Sequence, residues 1–243
     1  MLPRETCVPV SLKLGGETDV LLITGPNTGG KTVALKTVGL IVAMAQSGMM
    51  PLAKGVKFGC FKQIWADIGD EQSLEQSLST FSGHVKNIAQ ALRSLVPGAL
   101  VLLDEVGAGT DPDEGSSLAR ALLLAFQKEG AKVMASTHYG ELKLLAANAP
   151  GFVNASMEFD EATLRPSYRL LVGVPGSSHA LKIAERYGLP RGVLEEAKSG
   201  LSEQEADVAK MIERLQAAER RAVESTEEAE GLATRLRSVE KEA

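Results

Sequence analysis

Cysteine is nearly absent. Cys7 and Cys60 are the two in the chain, far apart and at no metal-ligand spacing. That leaves no basis for a disulfide scaffold or a cysteine-held zinc, and two free thiols fit a reducing cytosol. Long apolar runs are missing as well: none approaches the roughly 18 residues of a membrane span. The first residues, Met1-Leu2-Pro3-Arg4-Glu5, lack the apolar core of a signal peptide. A cytoplasmic chain without membrane contact is therefore expected. A basic surplus is the third absence. The net charge is −5, with 11 acidic and 7 basic residues from Leu201 onward and 20 acidic against 19 basic before it. Domains that grip nucleic acid on their own carry a basic face, often with a pI above about 9. If nucleic acid is a target, another part of a larger protein is expected to hold it.

What is present is a core-forming chain organised around one loop. Apolar residues make up 44% of the 243, enough for one large α/β domain with an appendage. Gly25-Pro26-Asn27-Thr28-Gly29-Gly30-Lys31-Thr32 matches the phosphate-binding pattern G-x-x-x-x-G-K-[ST] completely. Val20-Leu21-Leu22-Ile23 before it has the length and branching of a buried parallel strand, and Val33 to Ile41 after it is spaced like a helix. Strand, glycine-rich loop and helix is the context in which this pattern makes a site. The glycines let backbone N–H groups converge on an anion beside the positive end of the helix dipole. Residues 25–33, through Val33, are the candidate nucleotide contacts. Lys31 is expected to reach the β- and γ-phosphates of ATP, and the Thr32 hydroxyl to ligate Mg²⁺.

The chain order predicts a mainly parallel sheet with helices on both faces. Val8, Val10, Leu12 and Leu14 alternate with Pro9, Ser11 and Lys13 as in a half-buried strand. Strands are expected over 62–68, 99–103 and 132–136, with helices around residues 85–92 and over 116–128. Two short strands, 155–159 and 167–171, read as a hairpin flanking the sheet. Gly176-Ser177-Ser178-His179 caps a short helix ending at Gly188-Leu189-Pro190. The ATPase-like domain is expected to span 1–200. Beyond it, Leu201, Val208, Ile212 and Leu215 fit a seven-residue repeat that weakens at Glu219, Ala222 and Thr226, so 201–243 is expected to be a helical or coiled-coil arm.

The chemistry-bearing residues fall at the carboxyl ends of strands, where such sheets bind ligands. Asp104-Glu105 follows the buried run at 100–103: Asp104 would hold Mg²⁺ directly or through its water shell, and Glu105 would polarise the water attacking the γ-phosphate. A helix cap or solvated turn is the alternative use of such a pair. His138 ends the 132–136 strand and would donate to the γ-phosphate or orient the water; the alternative is a satisfied surface histidine. Gln72 would sense Mg²⁺ or water, unless it is merely a solvated loop residue. Ser79-Thr80 are either ordinary helix N-caps or a contact to the nucleotide of a second subunit, and spacing alone leaves both open.

Taken together, Gly25–Thr32, Ser79-Thr80-Phe81, the stretch from Leu102 to Pro112 and Ser136-Thr137-His138-Tyr139 closely resemble the ATPase domain of the MutS family. Gln76 to Ser82 and Gly109 to Gly115 look like the bacterial paralogue tied to suppression of recombination rather than the mismatch-repair protein. The resemblance covers about residues 8–200. It implies a P-loop ATPase of ABC type working as a homodimer with two composite sites. Lys31, Thr32, Asp104, Glu105 and His138 would act in cis and Ser79-Thr80 in trans. Gly109, Thr110 and Asp111, with the residues to Asp113, would communicate across the interface. It further implies that DNA is bound by clamp and lever domains preceding this one, that a nuclease-type domain follows the coil, and that this chain is a fragment carrying no nuclease. Where the family often sets an aromatic residue against adenine, this sequence has Cys7 and Val8. The rival functions are the engine of a stalled-ribosome-splitting factor, a nucleotide-gated interaction module with little hydrolysis, and a phosphotransferase. Glu105 speaks against the last two.

Overall fold

A computed structural model describes residues 7–25, 29–57, 59–69, 77–160, 165–176 and 180–199, with the backbone alone at 77–80, 165, 180, 182 and 198. The three buried apolar runs become β1 (Val20–Thr24), β3 (Leu100–Leu103) and β4 (Lys132–Ser136). They are joined by β2 (Ile64–Asp67), β5 (Phe152–Asp160) and β6 (Arg165–Val172). The sheet order is β2-β3-β4-β1-β5-β6. All neighbours run parallel except β5 and β6, which form an antiparallel edge. Parallel neighbours need long crossovers, and these hold α1 (Lys31–Gln46), α2 (Ser77–Arg93), α3 (Pro112–Lys128) and α4 (Gly140–Asn148).

Strand alternation sorts the core into two layers. Val20, Leu22, Val101, Leu103, Val133 and Ala135 face one side, where they meet Ile88 of α2, Leu123 and Phe126 of α3, and Leu142 of α4. Leu21, Ile23, Leu100, Leu102 and Met134 face the other, against Ala34, Leu35 and Val42 of α1. Helices therefore cover both faces, as expected of a sheet whose central strands are apolar throughout. Close approach of α1 to the sheet depends on Gly39, since a Cβ there would lie 2.7 Å from Leu102 Cδ1.

Four local features differ from the sequence reading. Residues 8–14 form no strand; Val10, Leu12 and Leu14 still pack on the α1 side of the core, so the alternation reports burial without a ladder. The helix expected from residue 116 starts at Pro112, because Asp111 caps it. Helix α4 was not anticipated, and β5 is no mere flank: it pairs in parallel with β1 along Val20–Thr24. The helix before Gly188 is α5 (Ala180–Arg186), followed by α6 (Arg191–Ser199).

The chain divides into two compact units, Met1–Gly176 and Ser177–Ala243. In the second, α5 and α6 pack on one another. The expected boundary at residue 200 and the arm over 201–243 lie outside the described residues.

Candidate nucleotide-binding site

The loop starts where β1 ends. Gly25 has φ +123° and Gly30 φ +93°, left-handed values that suit glycine, and Gly30 caps the N-terminus of α1. Pro26, Asn27 and Thr28 lie outside the described residues, whereas Gly29, Gly30, Lys31 and Thr32 are placed at and just before the start of α1. Lys31 is only 2% exposed, and its Nζ donates to the Gly25 carbonyl at 2.6 Å. Burial pulls the Lys31 pKa below that of a free lysine, and the charges of Glu105 and then Asp104 work against that shift. A buried ammonium under the field of two carboxylates is thus already assembled. Val33 exposes its side chain to solvent, which leaves only its backbone available to the loop.

Asp104 and Glu105 follow β3, one strand removed from β1, with β4 between them. Ser136, wholly buried at the end of β4, organises both. Its hydroxyl donates to Asp104 Oδ1 and accepts the Glu105 N–H at 2.8 Å, while the Ser136 carbonyl takes the Val106 N–H at 3.0 Å. The Asp104 N–H donates to Asp67 O on β2, at 2.9 Å. Glu105 has φ +46°, a conformation rarely adopted by a side-chain-bearing residue and commonly held at functional positions. The backbone therefore turns between the two carboxylates, and they sit in different surroundings. His138 follows β4 and is exposed, with its ring 4.4 Å from that of Tyr139.

The segment from Gly107 to Asp111 is locked from below. The Tyr139 hydroxyl donates to Gly107 O at 2.9 Å, and Gly107 and Gly115 are so close that a Cβ on either would lie 2.3 Å from the other's carbonyl oxygen. Burial, then the Asp111 and Glu105 charges, holds the Tyr139 phenol above the ordinary tyrosine pKa. Asp111 Oδ1 accepts the N–H groups of Asp113 (3.0 Å) and Glu114 (3.4 Å). Thr110 is half-buried, and Gly109 packs on Phe81 of α2, 3.4 Å from a Cβ at that glycine to Phe81 Cβ. The segment thus touches the helix that carries Ser79 and Thr80 in its first turn. The side chains of those two residues, and Gln72 entirely, lie outside the described residues.

Three residues to which motif reading gave no role join the site. Ser136 is a short polar residue ending an apolar strand. Thr24 Oγ1 donates to Ala155 O at 3.2 Å and accepts the Gly176 N–H at 2.6 Å, tying the start of the loop to β5 and to the turn after β6. Tyr168 has φ +62° and is half exposed, and its ring edge lies over Gly30, 3.2 Å from where a Cβ would sit. A lone tyrosine between Ser167 and Arg169 carries no pattern, so only the fold brings it to the loop.

The two side chains expected from the sequence to hold a metal, the Thr32 hydroxyl and the Asp104 carboxylate, both offer hard oxygens. That set fits Mg²⁺, which is usually bound by one or two protein groups plus phosphate and water. Among the described residues no cluster of three or more His, Cys, Asp or Glu side chains is placed to hold a metal by itself.

A profile of MutS domain V matches residues 21–205, from β1 past α6. The chain belongs to the MutS family. Its curated MutS relatives include Endonuclease MutS2 of Pelotomaculum thermopropionicum, 51% identical over 96% of this chain and 31% of that protein. Endonuclease MutS2 of Geobacillus kaustophilus is 51% identical over 92% of the chain and 29% of its own length. Endonuclease MutS2 of Clostridium botulinum is 50% identical over 96% and 30%. The paralogue indicated by the sequence motifs is therefore MutS2. The chain spans about three-tenths of the length of these MutS relatives.

Proposed function

We propose that this chain is the ATP-hydrolysing dimerisation engine of a MutS2-type protein that handles DNA, in the cytoplasm. The observation that carries the reading is the buried Lys31 ammonium under the field of Asp104 and Glu105, at the end of a loop built on left-handed glycines. Backbone N–H groups of the loop and Lys31 bind the phosphates, and Lys31 exchanges the Gly25 carbonyl for a phosphate oxygen as ATP enters. Thr32 and Asp104 would hold Mg²⁺, which would supply positive charge to offset that on the phosphate oxygens. Ser136 fixes Asp104 through its hydroxyl and Glu105 through its backbone N–H, so that the Glu105 carboxylate takes a proton from the attacking water. His138, exposed at the end of the neighbouring strand, orients the γ-phosphate. The purine lies against the exposed face of Tyr168, in place of the aromatic residue absent near Val8.

ATP binding closes two copies, with Ser79 and Thr80 of each contacting the nucleotide of the other and Gly109–Asp111 reporting on it through Phe81. The relatives' name, endonuclease, together with their greater length, supports a reading in which nuclease and DNA-binding parts lie outside this chain. The test is Lys31→Met: ATP binding should be lost while the fold, followed by circular dichroism and thermal melting, persists. Wild-type affinity in this variant would end the site assignment.

A further inference from the structure

Lys143 is a half-buried cation with no part in the chemistry above. It lies on α4, and its Nζ donates to the Gly176 carbonyl at 2.6 Å, just after β6. Its own carbonyl accepts Nδ2 of the buried Asn154 at 2.9 Å, so β5 fixes the α4 backbone from which it projects. On the other side of the same residue, the Gly176 N–H donates to Thr24 Oγ1 at 2.6 Å. Gly176 itself leaves no room for a side chain: a Cβ would lie 2.7 Å from Gly25 N and 2.8 Å from Gly25 Cα. Gly25 O is in turn the acceptor of Lys31 Nζ. Two ammonium groups therefore hold the carbonyls of two glycines pressed against each other. The Lys31 charge reaches Lys143: after burial, it is the second influence lowering the Lys143 pKa.

We propose that Lys143 is a positioning residue for the phosphate-binding loop, clamping Gly176 onto Gly25 and Thr24 and adding a second positive charge behind Lys31 that favours an anion in the loop. The inference rests on the proposed nucleotide site and deepens it. It follows from two physical points. A glycine in such tight backbone contact fixes the loop only if something holds that glycine, and the Lys143 ammonium is the charged group doing so; charge-assisted hydrogen bonds are the stronger ones. In addition, two like charges brought together at partial burial repel, and an incoming phosphate relieves the repulsion.

The experiment measures dissociation constants for ATP and thermal unfolding for the wild type, Lys143→Arg, Lys143→Met, Gly176→Ala and Lys31→Met. Lys143→Met is expected to bind ATP on the order of ten-fold more weakly, the size of one partly buried charge interaction, while melting no lower than the wild type, since a costly buried cation has gone. Lys143→Arg should restore affinity to within about three-fold, because charge and donor are kept. A residue that merely props up the fold would lose stability and affinity together. Wild-type affinity in Lys143→Met, or equal loss in the Met and Arg variants, overturns the proposal. Should Lys143→Met fail to fold, Gly176→Ala decides: it is expected to weaken ATP binding by forcing Gly176 off Gly25, and unchanged affinity there overturns the clamp. If wild type and Lys31→Met bind ATP equally poorly, the nucleotide site itself has failed, an outcome distinct from failure of the clamp.

Discussion

Lys31 is held in a place that suits a ligand better than the fold. Its burial disfavours the charged form, and the nearby Glu105 and Asp104 offset this without reversing it, so its pKa stays below that of the unfolded chain. The sign of the consequence is fixed. Where the unfolded state binds more protons than the native state, stability rises with pH. The penalty of the buried cation is fully present below the lowered pKa and is relieved as pH climbs towards the ordinary lysine value of about 10.4. Lys31→Met should therefore melt at or above the wild type at pH 7, and its advantage should shrink as pH is raised towards 10. Melting curves across pH 7–10 check this; a variant less stable than wild type at neutral pH would show that the carboxylates, not burial, dominate. The place of Lys31 at the junction of the glycine loop and α1 was legible from the motif, since that pattern is local in sequence. Ser136, Thr24 and Tyr168 were not: each acts on a partner far along the chain, 31 residues for Ser136 and Glu105 and 131 for Thr24 and Ala155.

Among the elements, α3 is the one whose start bears on function. Asp111 caps it and Pro112 follows at its first position, a pairing that favours initiation there. Asp111 is also a proposed interface residue, and two substitutions separate the roles. Asp111→Ala should cost about 1 kcal/mol of stability by removing the cap, and Asp111→Asn, itself a good cap, should restore it. If the carboxylate serves the interface, Asp111→Asn should still lower ATP-driven self-association at full stability, as read by sedimentation; normal association in that variant would confine Asp111 to capping. The central strands were readable because apolar runs of four or five residues bounded by glycine have few other uses. Helix α4 was missed because its short, apolar-rich sequence from Gly140 to Asn148 has no side-chain cap hydrogen bond to announce it. Residues 8–14 erred in the opposite direction. Alternation marks which side chains are covered, yet a strand also needs a neighbour with free hydrogen-bonding groups.

At the scale of the molecule, charge governs the expectations. The near balance of acidic and basic residues before Leu201 leaves little electrostatic grip for a polyanion. Duplex DNA should bind the isolated chain weakly, and a low-salt titration is the check; sub-micromolar binding that falls steeply with salt would reveal a basic face. The activity proposed for this chain is the ATPase cycle. The measurement that tests the account most directly is made on Glu105→Gln, with ATP turnover and particle mass followed together. The amide keeps the size of the side chain but no longer accepts the proton of the attacking water, so ATP and Mg²⁺ should still bind. Turnover should fall by roughly 10² or more, and the particle should double in mass with ATP but not with ADP. Glu105→Gln protein that hydrolyses ATP at the wild-type rate, or that stays monomeric with ATP bound, would contradict the account.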